Sequence, residues 1–450
     1  MLSGPHRERH PPLMNVRRRS AAVLASIAVV GAAAAPAVAA GPSPSASPSP
    51  STPAALYGTA DPTYDGVWRQ SLALLAQHTA GVIPAPAALD WLTGQQCDDG
   101  SFAPYRADTA APCDAKTPVD TNNTAAAVQA LAALGGRGDV VEDALDWLKS
   151  VQNKDGGWGY TPGGPSDANS TAVVIGAFTA TETDPAKILK GGNSPYDALL
   201  TFALPCDGEN GKDGGTGDTT GTTGTTGTKD AGAFAFQPDK GGKLVANADA
   251  TAAAVLGALG KGLAADAGKA SDATCAADPT PEQAAAGGAA HLAAAVAKDG
   301  HLTSALAGAE DQPDYGNTAD AVVALAAQGG AGQAAKPLAW LEKNAGAWAE
   351  QGGPAAYAQL IFAAHATGTD PRDFGGTDLV EGLNSTGPSP HGGSVTTTSV
   401  PADDSDADAD SDSGEKDGSG FGVWWFVGVC LVFGIGIGFL ISSRARKRRP

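Results

Sequence analysis

The chain has 450 residues, with 60 glycines, 31 prolines, aromatics at only 6% and a formal net charge of −19. Its cations gather at the two ends, and setting residues 1–20 and 444–450 aside leaves 19 cations against 47 acids. A segment that acidic has no basic footprint for nucleic acid, and its charge is that of a soluble, self-repelling surface.

In chain order, residues 1–39 read as a secretory signal. Arg17, Arg18 and Arg19 form the positive region, Ala21 to Ala35 an apolar stretch too short to span a bilayer well, and Ala37-Val38-Ala39 a small-x-small cleavage site. Met14, just ahead of the arginines, is an alternative start to Met1. Residues 40–59 are a Pro/Ser-rich linker. From residue 60 to residue 385 the composition changes to Ala-rich apolar runs broken by Asp-Gly turns.

Four segments repeat an apolar pair followed by such a turn: Trp91-Leu92 with Asp99-Gly100, Trp147-Leu148 with Asp155-Gly156, Leu199-Leu200 with Asp207-Gly208, and His291-Leu292 with Asp299-Gly300. Trp340-Leu341 opens a fifth copy without the turn. A second motif follows each of four units: Asp120…Thr124-Ala125, Asp167…Thr171-Ala172, Asn247…Thr251-Ala252 and Asp314…Thr318-Ala319. Asp or Asn four residues ahead of the Thr is a helix N-cap, and Ala/Val/Leu at three- and four-residue spacing follows as helix. Each unit is therefore an amphipathic outer helix, a turn and an inner helix that is apolar nearly all round and must be buried. Five such pairs run from about Pro86 to Ala366, with an unpaired inner-type helix before them (66–77) and an unpaired outer-type helix after them (377–383). If those two meet, the ring closes on six hairpins; the alternative is an open helical solenoid.

Gln96-x-x-Asp99-Gly100-Ser101-Phe102 and Gln152-x-x-Asp155-Gly156-Gly157-Trp158 resemble the QW repeat of squalene and oxidosqualene cyclases, found also in protein prenyltransferase β subunits. The resemblance covers roughly residues 60–385 and implies an all-α fold, the α/α toroid of about six hairpins with inner and outer helix rings. In that family the motif is mainly structural, the Gln tying its turn to a helix end and the aromatic packing in the sheath. The family's chemistry is not matched here. The Asp-x-Asp-Asp acid of triterpene cyclases is not found, since Gln96 precedes Cys97-Asp98-Asp99. At the prenyltransferase zinc His stand Asn123, Ser170, Ala250 and Asn317, which ligate zinc poorly. The Gly-Cys-Gly-Glu-Gln thioester of complement domains is absent. His365, on the last inner helix, could face the cavity, though a packed core histidine is the simpler role. No catalytic residue, metal or cofactor is assigned; a cobalamin-like ligand enters by fold analogy alone, because cobalamin carriers share the toroid.

The outer-to-inner connections are long (97–119, 152–168, 205–246 and 298–312), and all of them lie at one end of such a ring. Helix N-termini point to the same end, bringing positive dipole and free N–H groups. That mouth is the expected binding face, with Phe102, Tyr105, Asp120, Asn123, Trp158, Asp167, Asn169, Asp314, Tyr315 and Asn317 as candidate contacts. Capping is the plainer role for Asp120, Asp167 and Asp314, and sheath packing for Trp158.

Cys430 lies in the C-terminal apolar run, leaving Cys97, Cys113, Cys206 and Cys275. Three pairings are possible; Cys97–Cys113 and Cys206–Cys275 are favoured, since each brackets local loop sequence in an oxidising compartment. Residues 386–420 form an acidic Ser/Gly/Thr/Asp stalk. Residues 421–441 carry no charge and would span about 31 Å as a helix at roughly 1.5 Å per residue, with Trp424 and Trp425 at the outer boundary. The basic tail 442–450 then sets the orientation: tail in the cytoplasm, toroid outside the plasma membrane. Two functions fit. One is a non-catalytic, membrane-anchored binding or scaffold module, such as a small-molecule receptor linked to a transporter. The other is a prenyltransferase- or terpene-cyclase-like enzyme acting on an isoprenoid.

Overall fold

The structure is a computed structural model that describes residues 52–206, 230–269, 276, 278–306 and 309–391. The signal, most of the linker, the stalk beyond residue 391, the 421–441 span and the basic tail lie outside the described residues. Among those described, no helix is long and apolar enough to cross a membrane.

Thirteen helices dominate the described residues. Six are inner: α1 (Gly66–Thr79), α3 (Thr121–Leu134), α5 (Ala168–Ala180), α7 (Ala248–Ala258), α9 (Tyr315–Gly329) and α12 (Pro354–Thr367). Six are outer: α2 (Pro86–Gly94), α4 (Gly138–Ser150), α6 (Pro195–Leu200), α8 (Pro281–Val296), α10 (Ala331–Asn344) and α13 (Leu379–Ser385). The composition explains the sorting. In α3 every residue from Thr121 to Leu131 is buried, as an Ala-rich helix with no charged face allows, whereas α4 buries only Ala144, Leu145, Trp147 and Leu148 on one stripe. Small Ala side chains also let the inner backbones approach closely. Each inner helix packs on the next, α1 on α3, α3 on α5, α5 on α7, α7 on α9, α9 on α12, and α12 returns to α1. The ring is closed, and the fold is an α/α toroid.

The seam forms where α13 packs on α12 and α1. Gln77 Nε2 donates to Asn384 Oδ1 at 2.6 Å, and the Tyr57 hydroxyl donates to Gln77 Oε1 at 3.0 Å. The Gly58 N–H donates to the Thr386 carbonyl at 2.8 Å, so the chain on either side of the domain is stitched into the joint. The fifth unit, which lacks the Asp-Gly turn, crosses instead through a short extra helix, α11 (Gly346–Gly352). The β-structure among the described residues is slight: isolated bridges in the turns, and Leu302–Thr303 paired antiparallel with Pro313–Asp314 in a two-residue ribbon ahead of α9.

The repeated residues interlock neighbouring units. Gln96 Nε2 donates to the carbonyls of Gly100 (3.1 Å) and Val140 (2.8 Å), and Gln152 Nε2 to those of Gly156 (2.8 Å) and Ile188 (3.1 Å). One amide thus ties its own turn to the start of the next unit. Gly100 and Gly156 both have φ +90°, and a Cβ on them would lie 2.2 Å from the carbonyl oxygens of Asp143 and Ser194, so only glycine fits. The residue at the aromatic position donates its N–H to the inner-helix Thr in four units: Phe102 to Thr124 (3.0 Å), Trp158 to Thr171 (3.1 Å), Phe234 to Thr251 (2.9 Å) and Leu302 to Thr318 (3.0 Å).

Cys97 and Cys113 are disulfide-bonded as expected. Cys206 is also disulfide-bonded, and its sulfur lies 3.1 Å from the carbonyl oxygen of Ala276; the expected partner, Cys275, lies outside the described residues.

Candidate functional site

Since inner and outer helices alternate, the six inner N-termini share one end of the ring, and the long connections collect there. The rim is a chain of backbone bonds between units. Val67 N–H donates to the Pro104 carbonyl (2.8 Å), Thr121 to Tyr160 (3.0 Å) and Ala168 to Phe236 (3.0 Å). The caps take the next donors: Asp120 accepts from Asn123 N (2.7 Å), Asp167 from Ser170 N (2.7 Å), Asn247 from Ala250 N (2.8 Å) and Asp314 from Asn317 N (3.0 Å). The free N–H groups expected at these helix starts are thereby largely occupied by the protein itself.

The candidate residues separate accordingly. Phe102 and Trp158 are enclosed in the sheath rather than presented at the mouth: both are 0% exposed, and Trp158 Nε1 donates to the Leu148 carbonyl at 2.7 Å while its ring lies 6.0 Å from that of Phe178. Asp120, Asp167 and Asn123 are buried beneath the rim. Asn123 and Asn317 turn their side-chain amides back onto Asp120 (2.7 Å) and Asp314 (2.8 Å). Tyr315 has a local partner that its sequence does not announce. It packs against Trp340 and Trp348, with ring centroids 5.0 and 5.7 Å away, and His301 lies 4.4 Å from Trp340. Tyr105 stacks on Trp91 at 6.5 Å. His365 sits at the far end of the ring, its Nε2 2.9 Å from Asp266 Oδ1, in a cleft with Thr79, Ile361, Asp370 and Arg372.

Of the candidates, Asn169 leads to the axis. Its Nδ2 donates to Asp249 Oδ2 at 2.6 Å, across from α5 to α7. Further round, Gln359 of α12 donates to both carboxylate oxygens of Asp320 of α9, at 3.2 and 3.1 Å. Asn122, Asn169 and Asp249 each stand two residues past their cap. Asp320 and Gln359 stand six past theirs, the same helix face one turn deeper. Equivalent positions in a ring of parallel helices face the same axis, so these five form a polar arc at the head of the ring. Asn122, Asp249, Asp320 and Gln359 are absent from the sequence-derived set, although their register against the caps marks them.

Burial pushes Asp320 up to about 7, aided by the charges of Asp249 and Asp314 and opposed by the Gln359 bond. Burial likewise raises Asp249 to about 6, with the Asn169 bond opposing and Asp314 repelling. Asp120 is raised to about 7 and Asp167 to about 6 by burial, against the hydrogen bonds they accept as caps. Raised folded-state values mean these groups contribute stability that is complete below the ordinary carboxylate value of 3.8 and is lost as pH rises through 6–7. Asp61 and Asp197 are held low by the hydrogen bonds that Thr63 and Ser194 donate to them, so acid removes their contribution instead. The melting temperature is therefore expected to peak at about pH 4–5 and to fall steadily towards pH 8. A calorimetric pH series checks this, and a maximum at pH 8 would contradict it.

No family profile matches the sequence, and no curated protein does. Among solved structures, a protein from Actinoplanes aligns over 65% of this chain and 75% of its own at 17% identity and a TM-score of 0.39. The ent-copalyl diphosphate synthase from Streptomyces platensis aligns over 67% of this chain at 16% identity and a TM-score of 0.42. This chain spans half the length of that synthase.

Proposed function

We propose that the chain is a small-molecule binding module, a toroid whose ligand enters by the mouth and reaches the polar arc at the head of the axis. The observation that carries the reading is the arc itself. A ring that only had to be stable would fill its axis with apolar side chains, because burying polar groups with incomplete partners costs free energy. Five inner helices instead place Asn122, Asn169, Asp249, Asp320 and Gln359 there.

Sequence adds the setting: a secreted chain held at the plasma membrane by residues 421–441, with a transporter as a fitting partner. His391, early in the stalk, donates its N–H to the Ile83 carbonyl at 3.0 Å, in the α1–α2 connection at the end opposite the mouth.

A second reading, an enzyme acting on an isoprenoid, draws on Asp320 and Asp249, whose raised values suit a general acid near neutrality. Native mass spectrometry of the full chain purified from its own host separates the two. A retained small molecule supports binding, whereas turnover of farnesyl or geranylgeranyl diphosphate with Mg²⁺ favours the enzyme.

A further inference from the structure

The polar arc is short of hydrogen-bond donors. Asn169 spends its amide on Asp249 and Gln359 spends its amide on Asp320, which leaves Asn169 Oδ1 and Gln359 Oε1 buried without a donor. Asn122 Oδ1 is in the same condition. Asn122 and Gln359 are each only 7% exposed, whereas Asn169, Asp249 and Asp320 are half-buried, so the arc meets solvent at its carboxylates. Between them stand the carboxylates of Asp249 and Asp320. The charges facing these two are acidic on every side: Asp167 from the head of α5, Asp314 from the head of α9, and each other, while α12 supplies only the neutral Gln359. No lysine or arginine is among the charges acting on them. Arg69 of α1 is committed to Asp65 and to the carbonyls of Tyr57 and Ala60.

A buried acceptor without a donor costs the full desolvation of that group, and a buried carboxylate without a cation costs more. Three orphaned amide oxygens and two facing carboxylates in one arc are the complement of a group with several N–H donors and positive charge. Among the described residues no three of His, Cys, Asp and Glu converge as a metal shell, so the set is built for hydrogen bonds along an arc rather than for one ion at its centre.

We infer that the head of the toroid axis is a recognition site for an organic ammonium, with Asp249 and Asp320 as counter-charges and Asn122, Asn169 and Gln359 as acceptors for its N–H groups. The inference rests on the binding reading above and names the ligand class. Binding and protonation compete at Asp320 and Asp249, so affinity rises with pH across the range in which those carboxyls ionise.

The test uses the purified full-length chain with putrescine as probe, its uncharged isostere 1,4-butanediol as control, and MgCl₂ at matched ionic strength as a second control. Putrescine is expected to raise the melting temperature in a saturable way at pH 8 and to do so far less at pH 5, while the diol and Mg²⁺ leave it unchanged. Asp320→Asn keeps an acceptor for Gln359 and removes a half-buried charge. It should melt no lower than wild type at pH 8 and lose putrescine affinity about tenfold or more, the loss of one charge-assisted hydrogen bond. An unaltered response in Asp320→Asn, an equal response to Mg²⁺, or a response stronger at pH 5 overturns the inference. A host-derived ligand found in the chain that is neutral or anionic also overturns it, yet leaves the binding reading standing; a chain with neither ligand nor putrescine response removes both.

Discussion

Trp158→Ala is expected to lower the stability of the toroid by about 3–5 kcal/mol, the range for emptying a large aromatic site in a packed core. Three links end on this residue. Its ring is fully enclosed against Phe178, its Nε1 donates to the Leu148 carbonyl of α4 at 2.7 Å, and its backbone N–H reaches Thr171 of α5 at 3.1 Å. The ring therefore joins an outer helix to the inner helix of the same hairpin. Trp158→Phe keeps most of the volume and loses the indole bond, and should cost markedly less. Urea unfolding followed by circular dichroism measures both. A Trp158→Ala variant as stable as wild type, or one that loses ligand with unchanged melting, would put the indole at the mouth rather than in the sheath.

Gly156→Ala is the second large effect. At φ +90° an alanine is strained by about 1 kcal/mol or more, and its Cβ would meet the Ser194 carbonyl oxygen at 2.2 Å. That oxygen belongs to the N-cap of α6, so the clash cannot be relieved by a side-chain rotation; the next outer helix must move. Moving it also pulls on the Gln152 bonds to Gly156 and Ile188. A loss of at least about 2 kcal/mol is expected. Gly163→Ala is the control, since Gly163 also has positive φ (76°) but nothing lies within 4 Å of its added Cβ. The difference in unfolding midpoint between the two variants isolates the contact with α6; equal midpoints would mean that backbone strain alone explains these glycines.

The ring was largely legible in the residues because its rules are local and repeat. Asp or Asn caps, Ala-rich helices and Asp-Gly turns each recur at fixed spacing, and the two unpaired end helices, observed at 66–79 and 379–385, close the joint as the count required. The Gln96 and Gln152 ties also follow from the motif. Phe234 was harder to align, since residues 207–229 separate it from Leu199-Leu200 and only the bond to Thr251 shows that it occupies the Trp158 position.

The candidate site was legible only in part. The inward packing of Phe102 and Trp158 is the sheath role that the repeat implies, whereas the contacts of Tyr315 with Trp340 and Trp348 come from a later unit and are not encoded in spacing. The axis residues were readable in principle: Asn122, Asn169 and Asp249 share the second position after the cap. Asp320 and Gln359 break that register by one turn because Gly316 and Ala355 occupy it in their helices. Pairing Asp320 with Gln359, and Asn169 with Asp249, needed the ring geometry, since these partners are 39 and 80 residues apart in the chain.

Amide hydrogen exchange on the full-length chain, with and without the small molecule it retains from its host, asks most directly whether the mouth is the binding face. Binding at the polar arc should slow exchange in the first turns of α5, α7 and α9, around residues 168–172, 248–252 and 315–320, and leave the far end unchanged. Protection confined to the opposite face, around Thr79, His365 and Arg372, would contradict a ligand site at the head of the axis.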